Sequence, residues 1–156
     1  MIRIEKILYA TDFSSYSNQA YFHAVALAEN HGAVLTVVHV YVPGVKPAGG
    51  VPRGQTEQEY WHEQLEQIRP VDPRIPVYHV LLEGDPAAEI VRYARHTGID
   101  LIVLGTHGRT GLERFLMGSV AEKVLREAPC SVLVVKLPKG IPVAETGGAT
   151  LAISPA

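Results

Sequence analysis

The sequence DLIVLGTHGRTGLERFLMGS, which spans Asp100–Ser119, joins a short apolar run to a glycine-spaced loop and the start of a helix. The run Leu101–Gly105 is apolar over its whole length, which predicts a strand buried on both faces. Apolar residues then recur with helical spacing over Ser119–Ala128, and Pro129 ends that pattern. A buried strand that leads through a loop into a helix is typical of parallel α/β sheets.

The rest of the chain repeats this alternation of strand-like and helix-like segments. Four more apolar runs predict strands at Ile4–Ala10, Val34–Val42, Val77–Leu82 and Ser131–Val135. Three more segments predict helices at Ser17–His31, Thr56–Arg69 and Pro86–Thr97. The order β-α-β-α-β-α-β-α-β predicts a Rossmann-like α/β fold with a parallel sheet and helices on both faces. In such sheets ligands bind at the carboxyl ends of the strands, where the strand order reverses.

Length and composition limit the class of protein. The 156 residues suit a single core, which we expect over residues 1–136, followed by a C-terminal tail or arm at 137–156. The net charge of -2 does not suggest the basic face that nucleic acid binding usually needs, so no nucleic acid partner is expected. No apolar run approaches the roughly 18 residues of a membrane span, so no membrane partner is expected. The single cysteine, Cys130, is interpreted as a small buried apolar residue, and its lack of a partner cysteine favours a cytoplasmic location.

The loop after the fourth predicted strand has the features of an anion site. Gly105 and Gly108 lack a Cβ, so a phosphate can approach the backbone closely and positive φ costs little. Gly118 and Ser119 begin a helix, whose free N–H groups and dipole favour negative charge. Arg109 lies in the loop and can pair with a phosphate. The alternative is that these glycines only turn the chain, but a plain βα connection needs only a few residues.

This loop also resembles a known family. The pattern G-x-x-G-(nine residues)-G-S after DLIVLG is similar to that of the universal stress protein family. KILYATDFS at Lys6–Ser14 resembles the first strand and acidic loop of that family, and VVHVYV at Val37–Val42 its second strand. APCSVLVVK at Ala128–Lys136 resembles its last strand. The resemblance covers residues 4–136 and implies a five-stranded parallel sheet in the order 3-2-1-4-5.

The resemblance further implies a site for ATP, or a related adenine nucleotide, with or without Mg²⁺. In the ATP-binding branch of the family the glycine loop holds the phosphates and ribose, an aspartate approaches the nucleoside, and a backbone position in strand two contacts adenine. Carried over by position, the matching residues are Ala10, Thr11, Asp12, Val40, Gly105, Gly108, Gly118, Ser119 and Val120. The expected site also includes Leu104 at the end of the strand and His107 and Arg109 in the loop. Three alternatives remain open: Asp12 as a cap of the first helix, Ser119 as an N-cap, and Val40 as a core residue.

Three functions follow from these patterns. The first is an ATP-binding regulatory protein of the universal stress type, in which the nucleotide acts as a ligand or switch. The second is a slow ATPase or a phosphoryl or nucleotidyl transferase, with Asp12 near Mg²⁺ and Arg109 or Arg114 near phosphate, although no general base is evident. The third is an interaction module without a nucleotide. The resemblance also implies a homodimer through the last strand, whose pairing would cover a sheet edge.

Overall fold

Strands and helices alternate over the described part of the chain, as the sequence predicts. The structure, a computed structural model, describes residues 1–106 and 117–136. Its elements are β1 (Lys6–Ala10), α1 (Ser15–His31), β2 (Val34–Tyr41), α2 (Glu57–Glu66), β3 (Val77–Glu83), α3 (Pro86–Thr97), β4 (Leu101–Gly105), α4 (Ser119–Glu127) and β5 (Ser131–Val135). Every predicted element is present, and its bounds differ from the prediction by at most three residues. The predicted tail at 137–156 lies outside the described residues.

The five strands form one parallel sheet in the order β3-β2-β1-β4-β5, which confirms the predicted fold. The ladder between β1 and β2 reaches Ala10, and that between β4 and β5 reaches Gly105. The ladder between β1 and β4 ends earlier, at Tyr9 and Val103. β1 and β4 therefore diverge at their carboxyl ends and leave a gap at the centre of the sheet.

At the opposite end of the sheet, Asp100 joins β1 to β4. Its Oδ2 accepts the main-chain N–H groups of Glu5 and Lys6, each at 2.9 Å. The Asp100 N–H donates in turn to the Lys6 carbonyl oxygen at 2.9 Å. These bonds of Asp100 add to the ladder and tie β1 to β4 at their amino ends.

Two apolar cores lie on the two faces of the sheet because successive strand residues point to opposite sides. Tyr9 of β1 packs with α1 and α2, whereas Leu8 packs with α3 and α4. The buried face of α1 includes three alanines one turn apart, Ala20, Ala24 and Ala28, beside the larger Tyr21. Within the described ranges, no helix combines the length and the apolar character needed to span a bilayer.

The four helices differ in how they begin. Ser14 caps α1, Thr56 caps α2 in a capping box with Glu59, and Asp85 caps α3, each through its side chain. Helix α4 has Gly118 as its N-cap and therefore no side-chain cap. The interpretation of Ser119 as an N-cap is wrong, because Ser119 is the first helical residue.

Candidate functional site

A cavity of about 290 Å³ occupies the gap between the diverging ends of β1 and β4. This volume is at the lower bound of the roughly 300–1,000 Å³ typical of small-molecule sites. The walls come from the carboxyl ends of β1, β2 and β4 and from the first turns of α3 and α4. Parallel α/β sheets bind ligands at this position, where the strand order reverses.

The cavity brings together most of the residues predicted for the site. Nine of the twelve line it: Ala10, Thr11, Asp12, Val40, Leu104, Gly105, Gly118, Ser119 and Val120. The remaining three, His107, Gly108 and Arg109, lie outside the described residues. These nine residues therefore share one cavity. That they bind a ligand stays a prediction.

Six further lining residues are not predicted by the sequence. They are Ser17, Val38, His39, Pro86, Ile90 and Ala121. Val38 and His39 could have been predicted from the sequence, because they directly precede Val40, a predicted site residue, in the same strand. Pro86 and Ile90 enter because α3 starts at the same edge of the sheet, which follows from any β3–α3 turn in a parallel sheet.

The lack of a side chain at Gly105 serves packing within the protein. A Cβ built on Gly105 would lie 2.6 Å from the carbonyl oxygen of Tyr16 and 2.9 Å from its carbonyl carbon. The first turn of α1 therefore fills the space that a side chain would need. Packing against α1 therefore explains the missing Cβ at Gly105, and the approach of a phosphate to this lining residue stays a prediction.

Main-chain N–H groups at the start of α4 form the polar end of the cavity. The N–H of Gly118 is not available to an anion, contrary to the prediction, because it donates to the Thr106 carbonyl oxygen at 2.5 Å. The first N–H that bonds back within the helix is that of Glu122, which donates to the Gly118 oxygen at 3.0 Å. The N–H groups of residues 119–121 thus have no acceptor within α4, and with no side-chain cap they carry the positive end of its dipole.

Hydrogen bonds fix the loop between β1 and α1, which borders the cavity. The Thr11 N–H donates to the Val38 oxygen at 2.9 Å, and His39 Nδ1 donates to the Thr11 oxygen at 2.7 Å. Asp12 Oδ1 accepts the N–H of Ser14 at 3.0 Å. Because Ser14 is the cap of α1, the interpretation of Asp12 as that cap is wrong. Asp12 instead lines the cavity.

Ser17 is held by a buried network beneath this loop. The Tyr9 hydroxyl donates to the Ser17 carbonyl oxygen at 2.7 Å. The Ser17 hydroxyl donates to the Ser14 oxygen at 2.8 Å, so in the contact of 3.1 Å between the Thr11 and Ser17 hydroxyls Thr11 is the donor. Burial raises the pKa of Tyr9 far above its usual value, so its hydroxyl keeps its proton at any physiological pH.

We expect Tyr9→Phe to lower the free energy of unfolding by about 1–2 kcal/mol, because it removes a buried hydrogen bond and keeps the ring. Urea denaturation measures this loss. Tyr78→Phe is the matched control, since Tyr78 is 62% exposed and its change should stay within about 0.5 kcal/mol. A loss for Tyr9→Phe no larger than that of the control would contradict the role of this bond.

Charges around the cavity are few. Among the lining residues that the structure describes there is no lysine or arginine, and Asp12 is acidic. Lys123, one turn after Ser119 on α4, forms an ion pair with Asp85 at 3.4 Å between Nζ and Oδ2. The Ala88 N–H, and then Lys123, lower the pKa of Asp85. In the described part of the cavity wall, the feature that favours an anion is therefore the start of α4.

Two side chains, Trp61 and His79, serve packing within the protein. Trp61 is 4% exposed, and His79 Nε2 bonds to the Ile68 carbonyl oxygen at 2.7 Å. Cys130 is half-buried and not fully buried as expected, and burial raises the pKa of its thiol. The described ranges contain no group of three or more His, Cys, Asp or Glu residues arranged to hold a metal ion.

Comparisons with known proteins agree with this fold. The profile of the universal stress protein family matches residues 3–136. A universal stress protein of Methanocaldococcus jannaschii is 42% identical over 144 residues, which cover 86% of this chain and 84% of the relative. The solved structure of the universal stress protein UspA from Lactobacillus plantarum has a TM-score of 0.69 at 28% identity, and the match covers 85% of this chain and 98% of that one.

Two more distant solved structures contain a nucleotide. One is a universal stress protein in complex with cAMP, with a TM-score of 0.63 at 22% identity over 84% of this chain and 96% of that one. The other is a universal stress protein from Archaeoglobus fulgidus in complex with dAMP, with a TM-score of 0.56 at 21% identity over 86% of this chain and 98% of that one. At these identities they share the fold with this chain. Because the family profile spans most of the chain and a relative exceeds 40% identity, the chain belongs to the universal stress protein family.

Proposed function

We propose that this protein binds an adenine nucleotide, with ATP as the ligand, in the cavity between β1 and β4, and that the bound nucleotide acts as a regulatory switch. The observation that carries the proposal is the two-part character of the cavity. Most of its wall is apolar, and one end is the start of α4, which has no side-chain cap. A nucleotide has the same two parts, a flat base and an anionic phosphate chain.

The apolar part of the cavity fits the base. Val38, Val40, Leu104 and Ile90 line it, and all four side chains are at most 8% exposed. The family resemblance assigns the adenine contact to the backbone of Val40. Asp12 also lines the cavity, and its carboxylate can accept a bond from a ribose hydroxyl.

The polar end fits the phosphates. The N–H groups of residues 119–121 are directed by helix geometry toward an anion at the start of α4, and Ser119 adds a hydroxyl donor. The cavity volume suits a nucleoside better than a whole triphosphate, so the terminal phosphates would extend past Ser119. The resemblance assigns a phosphate contact to Gly108, and the guanidinium of Arg109 can pair with a phosphate. Mg²⁺ usually binds through substrate phosphates and one or two carboxylates, and Asp12 is the carboxylate that lines the described cavity.

Other members of the family support the proposal without settling it for this chain. The two complexes with cAMP and dAMP contain adenine nucleotides on the same fold. Both ligands carry one phosphate, so the choice of ATP rests on the glycine loop of this sequence. That choice is open to direct test.

The test is a titration of the purified protein with ATP, ADP, AMP, cAMP and inorganic phosphate, each with and without Mg²⁺, by calorimetry and thermal shift. We expect ATP to bind most tightly, and at a hundredfold excess over its Kd to stabilise the protein by about 2.7 kcal/mol. Binding of no nucleotide would overturn the proposal and favour an interaction module. Release of phosphate from ATP faster than about one turnover per second would favour an enzyme.

The proposal includes a homodimer that pairs through β5 and acts in the cytoplasm in the response to stress. In the described residues β5 is an edge strand with β4 as its one neighbour, and edge strands invite pairing. Light scattering after gel filtration measures the mass in solution. Val132→Pro should give a monomer, because proline removes an N–H from the pairing edge. If the wild-type protein is a monomer, the proposed homodimer is wrong, while the proposed nucleotide binding is unaffected.

A further inference from the structure

Three buried rings pack behind the loop that carries Asp12. They belong to Phe13, His39 and Trp61 and are called the aromatic cluster here. The ring centroids of Phe13 and His39 lie 4.6 Å apart, those of His39 and Trp61 4.7 Å, and those of Phe13 and Trp61 5.5 Å. The rings of Phe13 and Trp61 are stacked, only 8° from parallel. His39 lines the cavity, whereas Phe13 and Trp61 lie outside its wall.

Phe13 has a backbone conformation that must be held in place. Its φ is 63°, and among the described residues it is the only non-glycine residue with positive φ. L-residues with side chains adopt this left-handed region at a cost, and the conformation persists only where the surroundings enforce it. The stacked ring of Trp61 is one such constraint. The bond from the Phe13 N–H to Thr11 Oγ1, at 3.0 Å, is another.

The aromatic cluster also contacts Thr11, the residue on the other side of Asp12. His39 Nδ1 bonds to the Thr11 carbonyl oxygen at 2.7 Å, and the His39 ring contacts that of Trp61. Thr11 and Phe13 flank Asp12 in the chain, so both peptide neighbours of this residue are attached to rings that Trp61 touches. Movement of the Trp61 ring would therefore be transmitted to Asp12 from both sides.

Helix α2 presents Trp61 from a fixed position. Its first turn is held by the capping box of Thr56 and Glu59. Just after its last turn, His79 of β3 bonds to the Ile68 carbonyl oxygen. The ring thus comes from a helix that is anchored at both ends, which suits a supporting role.

We propose that Trp61 is a positioning residue for the nucleotide: it holds the strained Phe13 in place and so sets the position of the Asp12 carboxylate in the cavity. The effect on affinity rests on the proposed function, whereas the effect on the loop does not. Trp61 makes no contact with the ligand in this scheme. Loss of its ring lets the loop leave the binding-competent geometry, and affinity falls in proportion to the competent fraction.

The test compares three variants of the full chain. Trp61→Leu keeps apolar bulk without a flat ring, and Trp61→Phe keeps a ring that can stack. Leu65→Ala is the matched control, since Leu65 lies one turn further along α2 in the same core and its truncation also destabilises the protein. The readouts are hydrogen exchange at the Phe13 and Ser14 amides in the ligand-free protein, and ATP affinity by calorimetry.

We expect Trp61→Leu to speed exchange at both amides and to weaken ATP binding about tenfold. Trp61→Phe should restore both to within about twofold of wild type, because its ring refills the stack. Leu65→Ala should leave both unchanged at temperatures where it is folded. Unchanged exchange in Trp61→Leu would overturn the inference, whether or not the protein binds a nucleotide. Faster exchange with unaltered ATP affinity would overturn the link to the ligand. No ATP binding by the wild type would overturn the proposed function, and the exchange rates would still decide the role of Trp61.

Discussion

Gly105→Ala should lower the free energy of unfolding by about 3 kcal/mol, because the added methyl group has no room. The Cβ would lie 2.6 Å from the carbonyl oxygen of Tyr16, which belongs to the backbone of α1. A flexible side chain could turn away from such a contact, but a helix backbone can only move as a unit. The first turn of α1 would have to shift, and with it Ser17 in the cavity wall.

Urea denaturation of Gly105→Ala beside Gly98→Ala separates steric conflict from backbone strain. Gly98 has φ +66°, and no atom lies within 4 Å of a Cβ built on it. Its replacement costs only the left-handed conformation, about 1–2 kcal/mol. If Gly105→Ala proves no more destabilising than Gly98→Ala, the close approach of α1 to β4 is not as described.

Ser119→Asp should move stability and binding in opposite directions. An acidic residue in the first turn of α4 interacts favourably with the helix dipole, so the free energy of unfolding should stay the same or rise by about 0.5 kcal/mol. The same carboxylate would stand where the phosphates are proposed to bind. Like charges about 4 Å apart repel strongly near a protein surface, so ATP affinity should fall at least about a hundredfold.

Calorimetric titration with ATP and urea denaturation of the free protein measure the two effects. Ser119→Ala is the control, because it removes the hydroxyl but adds no charge, and it should weaken binding about tenfold at most. If Ser119→Asp binds ATP as well as the wild type does, the phosphates do not lie at the start of α4. The proposed orientation of the nucleotide would then be wrong.

The fold was accessible from the sequence because its signals are local. Branched apolar runs mark strands that are buried on both faces, and Asp85 with Pro86 marks the start of α3. The end of α2 was not accessible in the same way. Ile68 continues the apolar spacing of that helix and is buried, yet the helix ends at Glu66 and a turn carries Ile68 into the core. An apolar residue that is buried just after the end of a helix looks, in the sequence, like one more residue of the apolar face of that helix.

The site was accessible in part, through the resemblance and the topology of parallel sheets. Together they point to the ends of β1 and β4 and the start of α4. The role of Gly105 was not accessible, because it depends on how closely α1 approaches β4 in three dimensions. The use of the Gly118 N–H by Thr106 is likewise a tertiary contact. The support of Asp12 by Trp61, about fifty residues later in the chain, has no sequence pattern at all.

The divergence of β1 and β4 has a mechanical consequence. The ladder between them joins only three residue pairs, from Ile7 with Leu101 to Tyr9 with Val103, so the seam that links the two halves of the sheet is short. Asp100 closes this seam at one end with its paired main-chain bonds. At the other end, beside the contact of α1 with Gly105, a molecule in the cavity would touch both β1 and β4 and add a further link between them. Occupancy of the cavity would then raise the free energy needed to separate β1 from β4 at this edge.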